Sequence, residues 1–105
     1  MLSKTIITAC VTNLNGRGTP ATKLQAARID LAWSGISGSS NYQVLRSTSS
    51  SGPFTALGTV AATVYSDRTG LASGGTYYYV VQPLGSGGSA TCQSNEAKVI
   101  IPAGH

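Results

Sequence analysis

Charged side chains are scarce in this sequence, and acidic ones are the scarcest. Only 10% of the 105 residues are charged, and seven Lys and Arg against three Asp and Glu give a formal net charge of +4. Catalysis by paired carboxylates needs two of them held roughly 5–9.5 Å apart over a cleft, whereas Asp30, Asp67 and Glu96 lie on a strand face, in a turn and in a late strand. A Ca²⁺ site would need more carboxylates than the chain has. We therefore expect no enzyme activity and no metal or other cofactor.

Histidine and cysteine are also rare. The only histidine is His105, the last residue, a position that no scaffold preorganises for catalysis or metal binding. The only cysteines, Cys10 and Cys92, lie near opposite ends of the chain. In a low-charge chain rich in Ser and Thr, such a pair suggests one disulfide and an oxidising compartment, with two buried free thiols in a cytosolic protein as the alternative.

Long apolar runs and clusters of basic residues are missing as well. No run approaches the roughly 20 apolar residues of a membrane span, so none is predicted. Nucleic-acid binding needs clustered Lys and Arg, usually with aromatic residues between them. Because Arg17, Arg28, Arg46 and Arg68 are far apart in the sequence, nucleic acid is not an expected partner.

Residues that favour strands and turns are abundant. They predict one all-β domain over residues 1–105, with a core at 4–101 and a tail at 102–105. Turn signals divide the core into seven predicted strands at 4–13, 23–33, 41–47, 54–60, 64–67, 76–84 and 90–101. The stretch 15–20 is predicted to break the chain after the first strand. Apolar residues alternate with polar ones from Ala27 to Trp33, which predicts that Leu31 and Trp33 point into the core.

The stretch from Gly70 to Pro83 carries the most specific signal. A glycine-rich turn runs directly into aromatic and β-branched residues, and Leu71 lies six residues before Tyr77. This spacing predicts a tyrosine corner, in which Leu71 closes the bottom of the core and the Tyr77 hydroxyl bonds the backbone of the preceding loop. Alternation places Tyr77 and Tyr79 in the core and directs Tyr78 and Val80 outward, so Tyr78 is the candidate surface contact.

With these strands placed, residues 26–101 resemble a fibronectin type III domain, especially those of secreted bacterial proteins. The resemblance is carried by an ordered set of segments, namely Ile29-Asp30-Leu31-Ala32-Trp33, Tyr42 to Thr48, Gly52 to Leu57, Tyr65-Ser66-Asp67, Gly70 to Val81 and Ser94-Asn95-Glu96-Ala97. It implies a seven-stranded Greek-key sandwich of the immunoglobulin-like class, with Trp33 and Tyr77 as the family's core tryptophan and corner tyrosine. The first and last strands of such a sandwich are neighbouring edges, which suits a Cys10–Cys92 bridge.

The resemblance implies a non-catalytic module of an extracellular bacterial protein. It would act as a spacer, a stabilising unit or an interaction surface for neighbouring domains or sibling subunits. Two alternatives stay open. The chain could be a structural subunit of a phage particle or an extracellular appendage, or a carbohydrate-binding module that uses exposed aromatic faces, with Tyr78, Phe54 and Tyr65 as candidates.

Overall fold

A computed structural model of the chain describes residues 11–20, 26–36, 39–72, 74–84 and 93–102. These residues form seven β-strands: β1 (Asn15–Thr19), β2 (Arg28–Ala32), β3 (Asn41–Ser47), β4 (Thr55–Val60), β5 (Val64–Asp67), β6 (Thr76–Leu84) and β7 (Ala97–Ile100). In this part of the chain there is no helix long and apolar enough to cross a bilayer.

The strands form two antiparallel sheets that face each other. One sheet has the strand order β1-β2-β5 and the other has the order β4-β3-β6-β7. In the second sheet, Val44 of β3 pairs with Val81 of β6, and Tyr77 of β6 pairs with Val99 of β7. The predicted all-β sandwich is confirmed, and the strands predicted at 41–47, 64–67 and 76–84 have the bounds that the sequence indicates.

The first strand of the described fold lies where the sequence predicts a break. Residues 1–10, which hold most of the predicted first strand, lie outside the described residues, and 11–14 are not strand. Instead Asn15–Thr19 pairs with β2, with Gly16 opposite Leu31 and Gly18 opposite Ile29. The prediction at 15–20 is therefore wrong, because glycines that read as turn residues serve here to let two strands approach closely.

That close approach is visible at both glycines of β1. A Cβ atom added to Gly16 would overlap Cγ2 of Val99, and one added to Gly18 would lie 3.0 Å from the carbonyl oxygen of Ile100. β1 and β7 belong to different sheets, so this contact joins the two sheets along one side of the sandwich. We call the contact of Gly16 and Gly18 with residues 99–101 the glycine seam.

The core lies between the two sheets and is built from alternate residues of the strands. The predicted core residues Leu31, Trp33, Tyr77 and Tyr79 are buried there, and Leu71 is partly buried against them. The Trp33 and Tyr42 rings pack edge to face, with their centroids 5.6 Å apart. Further buried residues from both sheets complete the core, among them Ile29, Val44, Val81, Val99 and Ile101.

Candidate functional site

The loop before β6 forms the tyrosine corner that the spacing of Leu71 and Tyr77 predicts. The Tyr77 hydroxyl accepts a hydrogen bond from the Ala72 backbone N–H at 2.9 Å, and its oxygen lies 3.5 Å from the carbonyl oxygen of Gly70. The ring of Tyr77 is buried at the end of the core. One side chain thus ties the loop to the strand that follows it.

A polar cluster centred on the buried Asp67 and Tyr79 lies beside this corner. We call it the Asp67 cluster, and it consists of Arg46, Asp67, Thr69 and Tyr79. The Asp67 carboxylate accepts hydrogen bonds from the Tyr79 hydroxyl at 2.6 Å, from Arg46 Nη1 at 2.7 Å and from the Thr69 backbone N–H at 3.1 Å. Asp67 is on β5 and Arg46 and Tyr79 are on β3 and β6, so the cluster joins the two sheets on the side opposite the glycine seam.

Two further hydrogen bonds hold the cluster together. The Thr69 hydroxyl donates to Asp67 at 2.9 Å, and Arg46 Nη1 also donates to the Thr69 carbonyl oxygen at 2.7 Å. The Arg46 guanidinium carbon lies 5.7 Å from the centre of the Tyr77 ring, a cation–π geometry. The cluster and the tyrosine corner therefore form one connected unit at this end of the fold.

The environment of the cluster fixes its protonation states. Burial alone would raise the pKa of the Asp67 carboxyl, but hydrogen bonds from Tyr79, Thr69 and Arg46 outweigh it and hold that pKa below its ordinary value. Burial, together with the hydrogen bond to Asp67, raises the pKa of the Tyr79 hydroxyl strongly. Burial would lower the pKa of Arg46, but its hydrogen bond to Asp67 and the charge of that carboxylate raise it overall. At neutral pH the cluster holds a charged pair and a neutral tyrosine.

Sequence reasoning missed the Arg46–Asp67 ion pair, although the sequence holds a signal for it. Alternation along β3 places Arg46 on the same inward face as Tyr42 and Val44. A charged residue on a buried face needs a charged or hydrogen-bonding partner inside the fold. Asp67 bonds the Thr69 N–H in the turn that follows β5, and it also anchors Arg46 and Tyr79.

The described residues that precede β1 are fastened by two asparagine side chains. Asn95 accepts from the Leu14 N–H at 3.0 Å and donates to the Leu14 carbonyl oxygen at 3.1 Å. Asn13 donates to the Ser34 hydroxyl at 2.6 Å and accepts from the Ser34 N–H at 3.1 Å. Each amide satisfies both a donor and an acceptor of its partner, so the chain is held in place before it enters the sheet.

All three carboxylates of the sequence have partners inside the molecule. Asp67 is in the cluster, and Asp30 accepts from Arg28 Nε at 3.1 Å and from the Ser66 hydroxyl at 2.7 Å. Glu96 accepts from the Ser50 hydroxyl at 2.8 Å and from the Ser51 N–H at 2.7 Å. Among the described residues, no group of three His, Cys, Asp or Glu side chains could hold a metal ion.

Known structures identify the family. A Fn3-like protein from Clostridium thermocellum is 35% identical to this chain, with a TM-score of 0.72, and the match covers 90% of this chain and 94% of that one. The chain belongs to the fibronectin type III (Fn3) family. No family model and no curated protein sequence matches it.

More distant Fn3-like structures share the fold alone. A β-1,2-glucanase from Parabacteroides distasonis is 16% identical with a TM-score of 0.74, and the match covers 98% of this chain but 14% of the glucanase. The FN1–FN3 domains of chicken CNTN1 are 14% identical with a TM-score of 0.69, over 92% of this chain and 34% of that one. In both cases one domain of a larger protein corresponds to this chain.

Two of the three aromatic candidates for a binding surface, Tyr65 and Tyr78, lie on different sheets, and Phe54 is half-buried just before β4. Tyr78 lies on the outer face of the four-stranded sheet of this Fn3 domain, where it is half-buried between Ser47 and Lys98 of the neighbouring strands. Tyr65 is opposite Leu31 on the inner face of the other sheet and packs against the core. Val80 points outward as predicted, but it is buried, with 3% of its surface exposed.

Three of the predicted residues cannot be placed. Cys10, Cys92 and His105 lie outside the described residues. The disulfide between Cys10 and Cys92 therefore stays a prediction.

Proposed function

We propose that this chain is a non-catalytic Fn3 module of a secreted or surface bacterial protein, in which it acts as a spacer, stabilising or protein-interaction domain. The observation that carries the proposal is that the described fold begins and ends at opposite ends of the sandwich. The chain reaches β1 beside Asn95, close to the loop after β2. It leaves β7 at Ile101, which bonds Gly74 and Gly75 in the loop before β6. These two places are at opposite ends of the sandwich.

The separation of the two ends follows from strand geometry. Ser94, next to Asn95, bonds Val81, whereas Ile101 bonds Gly75, six positions earlier on the same stretch of chain. At about 3.3 Å per residue, the two ends of the fold lie roughly 20 Å apart along the strands. A module connected at opposite ends holds its neighbours apart along one axis.

Both ends are also hydrogen-bonded to the sandwich, which supports a stiff spacer. The first end is held by the asparagine contacts of Leu14 and Ser34. At the other end, the Gly74 N–H donates to the Ile101 carbonyl oxygen at 2.8 Å and the Ile101 N–H donates to the Gly75 carbonyl oxygen at 2.9 Å. The first and last segments of the described fold are therefore fixed to the sandwich, as a stiff unit requires.

The state of the acidic residues supports a non-catalytic role. General acids and bases must reach a substrate proton directly or through one water. Here Asp67 is 1% exposed, and Asp30 and Glu96 are engaged by their neighbours. The similarity to one part of a much longer glucanase is in keeping with an accessory domain, and the reaction of that enzyme is not transferred to this chain.

Secretion and the Cys10–Cys92 disulfide form a second part of the proposal. β1 and β7 run side by side in the same direction. Leu14 contacts Asn95, Gly16 faces Val99 and Gly18 faces Ile101. The partners differ by 81 to 83 positions, and Cys10 and Cys92 differ by 82. If this register continues, the two thiols meet, and their bridge would suit an extracellular compartment.

The spacer role can be tested with tandem repeats of the chain. Three copies joined directly should give an extended particle in small-angle X-ray scattering, with a maximum dimension that grows in equal steps from one to three copies. The matched control joins the same copies through ten-residue Gly/Ser linkers, which allow the modules to fold back. Steps in maximum dimension that shrink from the second copy to the third in the direct repeats, as expected for the flexible control, would refute the spacer role. Ordered polymers of the single chain would favour a structural subunit instead.

The disulfide has its own test. After expression in an oxidising compartment, intact mass spectrometry should show a gain of about 2 Da on reduction, as expected for one S–S bond. An unchanged mass would mean free thiols, and a halved mass would mean a bridge between two chains. Either result would overturn the intrachain bridge.

A further inference from the structure

The outer face of the three-stranded sheet contains a groove. It has a volume of about 430 Å³ and is lined by residues of β1, β2 and β5, among them Asn15, Arg17, Asp30, Ala32, Val64 and Ser66. The strand register explains its shape. Ala32 lies in the middle strand between Asn15 on one side and Val64 on the other, and Arg17 and Ser66 flank Asp30 in the same way. The small methyl group of Ala32 leaves a depression between larger neighbours.

The charge around this groove is unbalanced. Asp30 is already occupied by Arg28 and Ser66, and the two other carboxylates of the sequence are engaged elsewhere. Arg17 is exposed, and no hydrogen bond or ion pair among the described residues involves its guanidinium. The groove therefore presents a cation that pairs with no acidic side chain in the described part of the chain.

The apolar part of the groove is aliphatic rather than aromatic. Val64 is 58% exposed and is one of the two large apolar side chains most exposed in the described part of the chain. Together with Ala32 it forms a small apolar surface beside the polar side chains of the groove. Tyr65 supplies no stacking surface, because it points to the inner face of the sheet. Sugar rings are bound by stacking on aromatic faces, whereas aliphatic surface of this kind suits an aliphatic side chain.

We propose that this groove binds an acidic peptide segment of a protein partner. A Glu or Asp carboxylate of the segment pairs with Arg17, whose planar guanidinium can donate two parallel hydrogen bonds to it. An adjacent aliphatic side chain packs over Ala32 against Val64, and the Asn15 amide and the Ser66 hydroxyl are within the same groove for polar contacts. This inference rests on the proposed role as an interaction module and names the surface and the chemistry of its partner.

The test uses two capped five-residue peptides and the whole chain. One peptide alternates glutamate with aliphatic residues, and the other has glutamine in place of each glutamate. Titration followed by amide chemical shifts in NMR should show that the acidic peptide shifts residues of β1, β2 and β5 and binds at least tenfold more tightly than the neutral one. Such a ratio corresponds to about 1.4 kcal/mol, close to the lower limit for one hydrogen bond to a charged group.

Three variants locate the site. Arg17→Gln should weaken binding of the acidic peptide about tenfold, whereas Arg68→Gln, which removes the same charge from an exposed residue outside the groove, should change it less than twofold. Ala32→Gln fills the depression and should also weaken binding severalfold. Both groove residues are exposed, so the thermal unfolding curves of the variants should match that of the parent chain, which separates lost binding from lost folding.

Several outcomes would overturn the inference. Equal effects of Arg17→Gln and Arg68→Gln would mean that the peptide responds only to net charge. Equal binding of the two peptides would show that the carboxylate is not recognised. Chemical-shift changes outside these three strands would show that the peptide binds elsewhere. Tighter binding of an oligogalacturonate at the same residues would make the partner an acidic polysaccharide. None of these results affects the scattering test of the spacer role, so the two proposals can fail separately.

Discussion

The two sheets are joined along both sides of the sandwich, but by opposite means. On one side, the glycine seam brings β1 against β7 because two side chains are missing. On the other side, the Asp67 cluster connects β5 to β3 and β6 through charge and hydrogen bonds. The first contact depends only on volume and is independent of pH. The second depends on the protonation of one carboxyl and on every donor staying in place. Substitutions on the two sides should therefore destabilise the fold for different reasons.

The largest effect is expected in the Asp67 cluster. Asp67→Asn keeps the shape of the side chain but leaves Arg46 without its counter-charge and disturbs the bond from Tyr79. Removing one partner of a buried pair costs about 3–5 kcal/mol, and we expect the lower end because the Arg46 side chain is 22% exposed. Chemical denaturation measures the change in the free energy of unfolding.

The control for this prediction is Asp30→Asn. Asp30 forms the other ion pair of the described residues, with Arg28, and the two side chains are 41% and 32% exposed. An exposed pair of this kind is worth about 0–1 kcal/mol. If Asp30→Asn destabilised the fold as much as Asp67→Asn, burial would not explain the importance of the cluster.

The next largest effect is expected at the glycine seam. Gly16→Ala places a methyl group against Val99 Cγ2 and 2.9 Å from Leu31 Cδ2. Overpacking of this kind costs about 1–3 kcal/mol. The matched variant is Gly58→Ala on β4, where an added Cβ meets no atom within 4 Å. Gly58→Ala should leave stability unchanged or raise it by up to about 1 kcal/mol. Similar unfolding curves for the two variants would show that the seam tolerates side-chain volume.

A smaller effect is expected at the tyrosine corner. Tyr77→Phe removes the acceptor of the Ala72 N–H, which should cost about 1 kcal/mol because Ala72 is exposed and water can replace part of the bond. Tyr65→Phe is the control, since the Tyr65 hydroxyl takes part in no hydrogen bond among the described residues. An unchanged melting temperature for Tyr77→Phe would show that the hydrogen bond of the tyrosine corner does not stabilise the fold.

The smallest effect should appear as a dependence on pH. The pKa of Asp67 is lowered in the folded state from an ordinary value of 3.8, so its contribution to stability is complete above that pH. The contribution is lost as the pH falls below 3.8 toward the folded-state pKa. Unfolding measured from pH 6 down to pH 2 should show a loss of stability that is reduced in Asp67→Asn. Equal acid sensitivity of the two proteins would contradict the lowered pKa.

The sequence predicted the elements whose signals are local. Alternation placed Trp33 and Leu31 in the core, and glycine-rich turn chemistry before an aromatic run located the tyrosine corner. What it missed depends on contacts between distant segments. Gly16 and Gly18 read as a turn because nothing nearby in sequence reveals that Val99 and Ile101 lie against them. Val80 was assigned outward correctly, but alternation could not predict that it would be buried there.

The Arg46–Asp67 pair combines a feature that local sequence predicts with one that depends on distant contacts. The inward position of Arg46 follows from alternation, whereas the identity of its partner follows only from the packing of one sheet on the other. The groove on the three-stranded sheet is likewise only partly predictable from the sequence. Each lining residue lies on a predictable outward face, but the depression depends on which residues are neighbours across three strands.

The parallel course of β1 and β7 has a mechanical consequence. The chain enters β1 at one end of the sandwich and leaves β7 at the other, so with Cys10 and Cys92 reduced, tension applied through the proposed neighbouring domains would pull the two strands in opposite directions along their common axis. Their contacts, from Leu14 and Asn95 to Gly18 and Ile101, are then loaded together in shear instead of being opened one after another. A reduced domain loaded in this way would resist extension through many contacts at once, with the glycine seam among them, whereas the proposed Cys10–Cys92 bridge would carry the load itself and spare the seam.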